Sequence, residues 1–290
     1  MEETIEENER SEGVALLRAS CITQWSQWQL LDSILPTGGF AHSFGLEAAV
    51  QTRLVSSPED LETHIIHLLD NTASLLLPFV YSALKSPDLE TWHKLDRTLD
   101  ATLTNQVSSK ASVSQGSALF RIAASVFTEI PNLKTIRDAS LGSKNVCFHH
   151  APIFGLVCGL LCMDSETSQR AYLFVTLRDV VSAATRLNLV GPMGASVMQH
   201  RIAIVAETIL EKWMDREASE ACQTSPLLDV VQGFMPSTTN ENKSHPHSQG
   251  EHRLLKSLAH YHACPLINLL AKFTFSFSIF VACSLYRFDM

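Results

Sequence analysis

The sequence predicts an all-α protein, in which a single domain of about nine or ten helices precedes a tail of different character. Apolar residues recur at helical spacing along most of the chain, for example at Leu61, Ile65 and Leu68. Helix start signals such as Ser57-Pro58 precede these segments, whereas the sequence lacks sustained strand alternation with hairpin turn pairs. With 46% hydrophobic residues, the 290-residue chain can bury a sizeable core. Together these observations indicate helices packed around one core.

Start and stop signals divide the domain into its helices. The first helix is predicted over residues 24–34, where Trp and aliphatic side chains recur at every third position before Pro36 prevents its continuation. A short helix is expected over residues 42–52. Ser57 as N-cap and Pro58 at the first helical position open the third helix, and Ser86-Pro87-Asp88 repeats this signal. The predicted ranges of the later helices are 89–103, 107–122, 151–163, 166–189 and 193–216.

Three regions are predicted along the chain. Residues 1–13 are almost all charged or polar, so we expect an acidic, disordered N terminus. Residues 14–232 form the all-α domain. Residues 233–290 form an atypical tail, in which a polar linker precedes an apolar segment from Phe273 to Tyr286. This segment is shorter than the roughly 20 residues that span a bilayer, although a tail-anchored helical membrane protein is an alternative interpretation.

Composition and charge exclude several classes of protein. The net charge is −8, and because residues 235–290 carry +2, residues 1–234 carry −10, which argues against binding to nucleic acid. The seven cysteines form no CxxC pair and are odd in number, so neither a zinc site nor a disulfide framework is indicated. The acidic, polar N terminus resembles neither a secretory signal nor a transit peptide. We therefore expect a cytoplasmic protein, with no membrane partner.

A proline and two glycines predict a tight turn within residues 35–47, which read LPTGGFAHSFGLE. Such a loop, with small side chains on its surface, lets another backbone approach closely. It is interpreted either as a helix-to-helix connector, in which His42 or Ser43 caps the next helix, or as a functional loop. A further interpretation makes Ser43 the nucleophile of a helical hydrolase. The segment is not a G-x-S-x-G elbow, which argues against that role.

A polar line runs along the otherwise apolar segment 166–189. Arg178, Ser182 and Arg186 lie at i, i+4 and i+8, and Asp179 lies near them. These arginines either contact a partner protein or pair with acidic side chains of their own domain, and the sequence leaves both interpretations open.

Histidines raise the question of a metal site, because imidazole is a ligand of nickel and zinc. His149 and His150 are adjacent, and on an extended segment they would point to opposite sides and could not easily share one ion. The tail holds a better-spaced set at 260–264 but has no other sign of a fold. We therefore predict structural roles for the histidines and no stoichiometric nickel in the isolated protein. An equimolar tight site, found by calorimetry on the domain truncated at Gln232, would contradict this.

Four segments resemble the urease accessory protein F family in order and spacing, and the first looks like its plant branch. They are LPTGGFAHSFGLEAAV at 35–50, SQGS at 114–117, HAPIFG at 150–155 and AATRLNLVGPMG at 183–194. The resemblance implies an all-α homodimer that binds the accessory protein called D in plants (H in some bacteria). It also implies recruitment of the nickel-carrying GTPase accessory protein G and delivery of the assembly to apo-urease.

By this resemblance the protein regulates the GTPase and is not an enzyme, so no catalytic residue is assigned and nickel is handled by the complex. Arg186 matches a basic residue in the family's motif, which implies contact with the GTPase. We also expect bulky replacements at Gly38 or Gly39 to impair assembly before folding. The residues predicted to bind partners are Pro36, Gly38, Gly39, Phe40, Ser43, Gly45, Glu47, Gln115, Arg178, Asp179 and Arg186.

The chain departs from the family pattern after Gln232. Plant-type members continue into a short ending rich in aromatic, Arg and Leu residues, whereas Gly233-Phe234-Met235 leads here into the tail. The tail looks like a different reading of the transcript, for example a retained intron, and sequencing the transcript across the codon for Gln232 tests this. The departure puts binding to accessory protein D in doubt for this form.

Overall fold

The computed structural model describes residues 23–143 and 145–233, and this part of the chain is helical without strands. The predicted all-α class is therefore confirmed, and the eleven helices of the described residues are close to the predicted nine or ten. The predictions for the N terminus and for the tail after Gly233, including its apolar segment and histidines, lie outside the described residues. The helices are α1 (residues 23–31), α2 (Leu46–Gln51), α3 (Pro58–Leu75), α4 (Leu77–Lys85), α5 (Leu89–Thr102), α6 (Gln106–Val126), α7 (Pro131–Ser140), α8 (His150–Leu160), α9 (Ser165–Arg186), α10 (Pro192–Trp213) and α11 (Pro226–Gly233).

Local capping chemistry sets the helix starts that the sequence predicted. The Ser57 hydroxyl accepts the Asp60 N–H at 3.1 Å while the Asp60 carboxylate accepts the Ser57 N–H at 3.0 Å, which closes a capping box at α3. At α5 the Asp88 side chain accepts the Thr91 N–H at 2.9 Å. Both boundaries follow from bonds between residues three apart, which sequence patterns reveal directly.

Two predicted boundaries near the N-terminal end are wrong. Helix α1 ends at residue 31, because the Asp32 carboxylate accepts the Ile34 N–H at 3.0 Å and forms a turn instead. Helix α2 begins at Leu46 and not near His42, since Phe44 (φ 52°) and Gly45 (φ 81°) adopt a left-handed backbone that no helix continues. Three helices were not predicted as separate elements, namely α4, α7 and the last helix, α11.

Helix α8 lies at the centre of the domain and packs chiefly on α4 and α6. Gly155 permits this close approach, because a Cβ added there would lie 2.2 Å from the Val80 carbonyl oxygen of α4. Aromatic side chains such as Trp92 and Phe120 fill the core beside α8, with ring centroids 5.1 Å apart. Helix α9 packs on α10, α4 and α3, and the described helices include none long and apolar enough for a membrane span.

The end of the domain that matters for the site is built from α9, α2 and α11. The one-turn 3-10 helix Gly39–Ala41 packs on α9, and α11 packs on α2 and α6. Residues far apart in sequence therefore meet around the segment 35–47.

Candidate partner-binding site

Segment 35–47, here called the glycine loop, takes its shape from two glycines with left-handed backbone. Gly38 has φ 80° and Gly45 has φ 81°, and between them one turn of 3-10 helix is closed by the Ala41 N–H donating to the Gly38 carbonyl at 3.0 Å. Other residues adopt such positive φ values only with strain. Pro36 and Gly38 are exposed at the tip of the loop, and nothing lies within 4 Å of a Cβ added at Gly38.

Gly39 is buried directly against a carboxylate of α9. A Cβ at this position would lie 2.1 Å from Oδ2 of Asp179, so only glycine fits without movement of that side chain. A bulky replacement at Gly39 therefore disturbs the fold itself, which corrects the expectation that it would act on assembly first. For the exposed Gly38 that expectation stays a prediction.

Arg178 joins the glycine loop, α1 and α9. Its guanidinium donates to Oδ1 of Asp179 at 2.9 Å and to the Leu31 carbonyl at 2.6 Å, and it lies 5.1 Å from the ring centroid of Phe40. The interpretation that the arginines pair within their own domain is thus supported for Arg178. Its role here is to hold the loop in place.

Burial and the neighbouring arginines together set the pKa values of the ionisable groups around Asp179. Asp179 is 1% exposed, and burial raises its pKa, while the positive charges of Arg178 and Arg186 act in the opposite direction. Burial also lowers the pKa of His42, and the Arg186 charge lowers it further. Arg186 itself is exposed at the last turn of α9. Arg186 therefore presents its positive charge to solvent within electrostatic reach of a buried carboxylate.

His150 lies close enough to His42 of the glycine loop to interact with it electrostatically, and its ring packs against two aromatic rings. Its ring centroid is 5.4 Å from that of Tyr172 and 5.9 Å from that of Phe154. Burial lowers the pKa of His150 to about 4, with a further contribution from His42. His150 is therefore neutral at physiological pH and packs as an aromatic side chain.

This burial predicts a pH-dependent stability. Because the folded pKa of His150 lies below the ordinary value of 6.5, the unfolded chain takes up a proton first as the pH falls. Stability from this group is complete above pH 6.5 and is lost toward pH 4, by about 2 kcal/mol between pH 7 and pH 5. Urea denaturation at these two pH values measures the loss, which His150→Gln should reduce and the exposed His200→Gln should leave unchanged. An equal loss in His150→Gln would contradict the assignment.

The far end of the glycine loop is covered by α11. A Cβ added at Gly45 would lie 3.2 Å from the Cβ of Gln232, and the Ser108 hydroxyl donates to Oε1 of Gln232 at 2.6 Å. The side-chain amide of Asn105 donates to the Asp229 carbonyl at 2.7 Å. Glu47 is half-buried in the first turn of α2. The last residues of the family-like region thus contact the first family-like motif.

The structure brings most of the predicted site residues together. Gly39, Phe40, Arg178 and Asp179 form one contact group with Arg186 acting on it, whereas Gln115 is buried on α6 at 6% exposure. The remaining predicted residues are on the glycine loop, where Ser43 is half-buried. Whether each of them touches a partner stays a prediction.

Sequence reasoning missed several residues that shape the site. His150 packs on Tyr172 and interacts with His42, Leu31 supplies a carbonyl oxygen to Arg178, and Gln232 contacts Gly45. His42 was considered only as a helix cap, yet it lies within reach of the Arg186 charge. A signal was present for the two histidines, because both lie inside family-like motifs, but no pattern indicated that they would meet.

Known proteins share the sequence of this domain. The chain is 88% identical over 229 residues to urease accessory protein F of Arabidopsis thaliana, which covers 79% of this chain and 95% of that protein. A family model described as UreF matches residues 55–203. The chain belongs to the urease accessory protein F (UreF) family. The resemblance drawn from the four motifs is thereby confirmed.

Other members of the UreF family place this chain on the plant side. Urease accessory protein F of Oryza sativa subsp. indica is 68% identical over 209 residues, covering 72% of this chain and 80% of that protein. The UreF protein of Trichodesmium erythraeum is 25% identical over 221 residues, covering 75% and 94%. The match to the Arabidopsis protein leaves about a fifth of this chain uncovered. This share is in keeping with a tail outside the family pattern.

Proposed function

We propose that this protein is a non-catalytic adaptor of urease maturation. It assembles with accessory protein D (H in some bacteria) and with the GTPase accessory protein G, whose activity it regulates. The assembly delivers nickel to apo-urease, so that nickel is cargo of the complex. The protein works in the cytoplasm and as a homodimer. Membership of the urease accessory protein F family supports the general role, and the glycine loop suggests where partners bind.

The observation that carries the proposal is an exposed cation held beside a rigid loop. Arg186 is exposed, whereas Arg178 is held by its bonds to Asp179 and to the Leu31 carbonyl and by its contact with the Phe40 ring. Asp179 in turn lies directly against Gly39 of the loop. A pre-ordered surface loses little entropy on binding, and arginine is enriched among residues that dominate protein interfaces. We therefore assign the GTPase contact to Arg186 and the positioning of the loop to Arg178.

Exposed apolar side chains on α1 and in the turn after it support an interface at this end of the domain. Trp25 and Trp28 are 68% and 55% exposed and their rings meet edge to face at 5.2 Å, while Ile34 is 77% exposed. Helix α1 is tied to the site through Leu31, whose carbonyl accepts from Arg178. Large apolar groups close together on a surface are typical of contact regions between proteins.

Arg186→Ala should weaken recruitment of the GTPase by at least about tenfold, because an interfacial arginine commonly contributes more than about 1.4 kcal/mol to binding. The side chain is exposed, so the melting temperature should stay unchanged. A pull-down with purified GTPase, quantified over a concentration series, measures the effect. Arg121→Ala provides the matched control, since Arg121 is an exposed arginine on α6. Unchanged recruitment by folded Arg186→Ala would rule out this contact.

Co-expression with urease and the other accessory proteins tests the proposed function as a whole. The full chain and a chain truncated after Gln232 are compared for complex formation and urease activation. The truncated chain keeps the contacts of Gln232 with Gly45 and Ser108, so the site stays intact. Activation by either form supports the adaptor role. Failure of both forms, with folded protein present, contradicts it.

A further inference from the structure

A second group of polar side chains lies where α5 meets the segment before α8. Asp100, Cys147 and His149 each direct one potential metal-ligand atom to a common point, and these atoms all lie within 4.8 Å of one another. Asp100 is exposed, Cys147 is half-buried and His149 is fully buried. The group is therefore fixed on its inner side and open to solvent on its outer side.

The spacing within this group is close to that of a coordination shell. The distance from Nε2 of His149 to Oδ1 of Asp100 is 3.2 Å. Two ligand atoms about 2.0 Å from a tetrahedral ion lie about 3.3 Å apart, and a thiolate lies slightly farther out. The imidazole and carboxylate already match that distance. The sulfur lies within 4.8 Å of both, so it has to move by roughly 1.3 Å at most to reach its place.

The backbone that carries two of the ligands is held by a buried carboxylate. Asp96 is fully buried, and it accepts the N–H groups of Cys147, Phe148 and His149 at 2.6, 3.2 and 2.6 Å. Phe148 between the two ligands has φ 69°, which bends the segment. Cys147 and His149 thus reach the same point from positions i and i+2.

A hydroxyl group next to the other ring nitrogen of His149 also sets the orientation of this ring. Oγ of Ser112 lies 3.2 Å from Nδ1 of His149, and it accepts the N–H of His150 at 3.1 Å. When Nδ1 carries the ring proton it donates to this hydroxyl, which leaves Nε2 with a free lone pair facing Asp100. Metal-ligating histidines in proteins are typically oriented by such a bond from the other ring nitrogen.

We propose that Asp100, Cys147 and His149 bind one divalent transition-metal ion of the borderline class, such as Zn²⁺ or Ni²⁺. Imidazole, thiolate and carboxylate are the ligands that this class prefers, and three protein ligands leave a fourth position open for exchange. The proposal goes beyond the adaptor function. It replaces the sequence-based expectation of no bound metal. That expectation considered only whether His149 could share an ion with its neighbour His150.

Titration of the metal-free full chain with Co²⁺ tests this site. We expect one equivalent to give a thiolate-to-cobalt charge-transfer absorption with intense visible bands of tetrahedral Co²⁺, both displaced by Zn²⁺. Cys147→Ser should abolish the charge-transfer absorption. Asp100→Asn should weaken Co²⁺ binding at least tenfold, and because Asp100 is exposed this variant should fold normally. Thermal melts of both variants without metal check that the fold is kept.

Two control variants test whether cysteines outside this site contribute to the absorption. Cys222→Ser removes an exposed cysteine elsewhere in the domain, and Cys264→Ser removes the thiol of the tail set that includes His260 and His262. Both should keep the full absorption. The proposal is overturned if wild-type protein shows no thiolate absorption with Co²⁺. It is equally overturned if folded Cys147→Ser keeps the absorption, or if Cys264→Ser loses it.

Discussion

Asp96→Ala lowers the free energy of unfolding by about 3 kcal/mol or more, because it leaves the N–H groups of Cys147, Phe148 and His149 without their common acceptor. Each buried donor left without a partner costs about 1–3 kcal/mol. Phe148 also keeps its left-handed backbone only while the surrounding structure holds it. Urea denaturation in the presence of a chelator measures this loss without any contribution from bound metal.

Asp100→Ala is the matched control for Asp96→Ala. Asp100 lies one turn further along α5, and its side chain is 49% exposed. Its removal leaves Nε2 of His149 without one partner, so it should cost at most about 1 kcal/mol, well below the loss in Asp96→Ala. If both variants lose the same small amount, Asp96 does not hold the segment before α8.

Gly116→Ala should lower the free energy of unfolding by roughly 3 kcal/mol, although alanine is the better helix former. A Cβ at Gly116 would lie 2.1 Å from the carbonyl oxygen of Phe148 and 2.8 Å from the backbone nitrogen of His150. These neighbours are backbone atoms, so no side-chain rotation relieves the contact. Chemical denaturation of the variant gives the size of the effect.

Gly194→Ala provides a comparison for Gly116→Ala in another helix. Gly194 is exposed near the start of α10, and its added Cβ would meet only the end of the Val190 side chain. We expect this variant to be neutral or stabilised by up to about 1 kcal/mol. Equal stability of the two alanine variants would mean that α6 does not need the close approach at Gly116.

The helices that the sequence predicted correctly are those whose ends depend on near neighbours. Ser57 and Asp88 cap α3 and α5 through residues three positions later, and such signals are visible in any sequence. The start of α2 was missed because Phe44 is left-handed, which its residue type does not indicate. Helix α11 was missed because its eight residues are too few to reveal a helical periodicity.

The candidate site was predicted as separate residues, and only the fold shows which of them meet. The glycine pattern indicated a close approach at Gly39, but the group that approaches, Asp179, lies on a helix far along the chain. Arg178 and Arg186 lie on the same polar line of α9, so their spacing gave no reason to assign them different roles. In the structure Arg178 is bound to Asp179, while Arg186 is exposed in the last turn of α9.

The packing of Gly45 against Gln232 has a consequence for folding during synthesis. The glycine loop leaves the ribosome early, but the residue that covers its end is made roughly 190 residues later, which at about 5–20 residues per second takes on the order of ten to forty seconds. During this time the loop cannot reach its final shape, since Asp179 and then Gln232 are still missing. A partner that recognises the finished loop therefore selects chains whose helical domain has been translated in full.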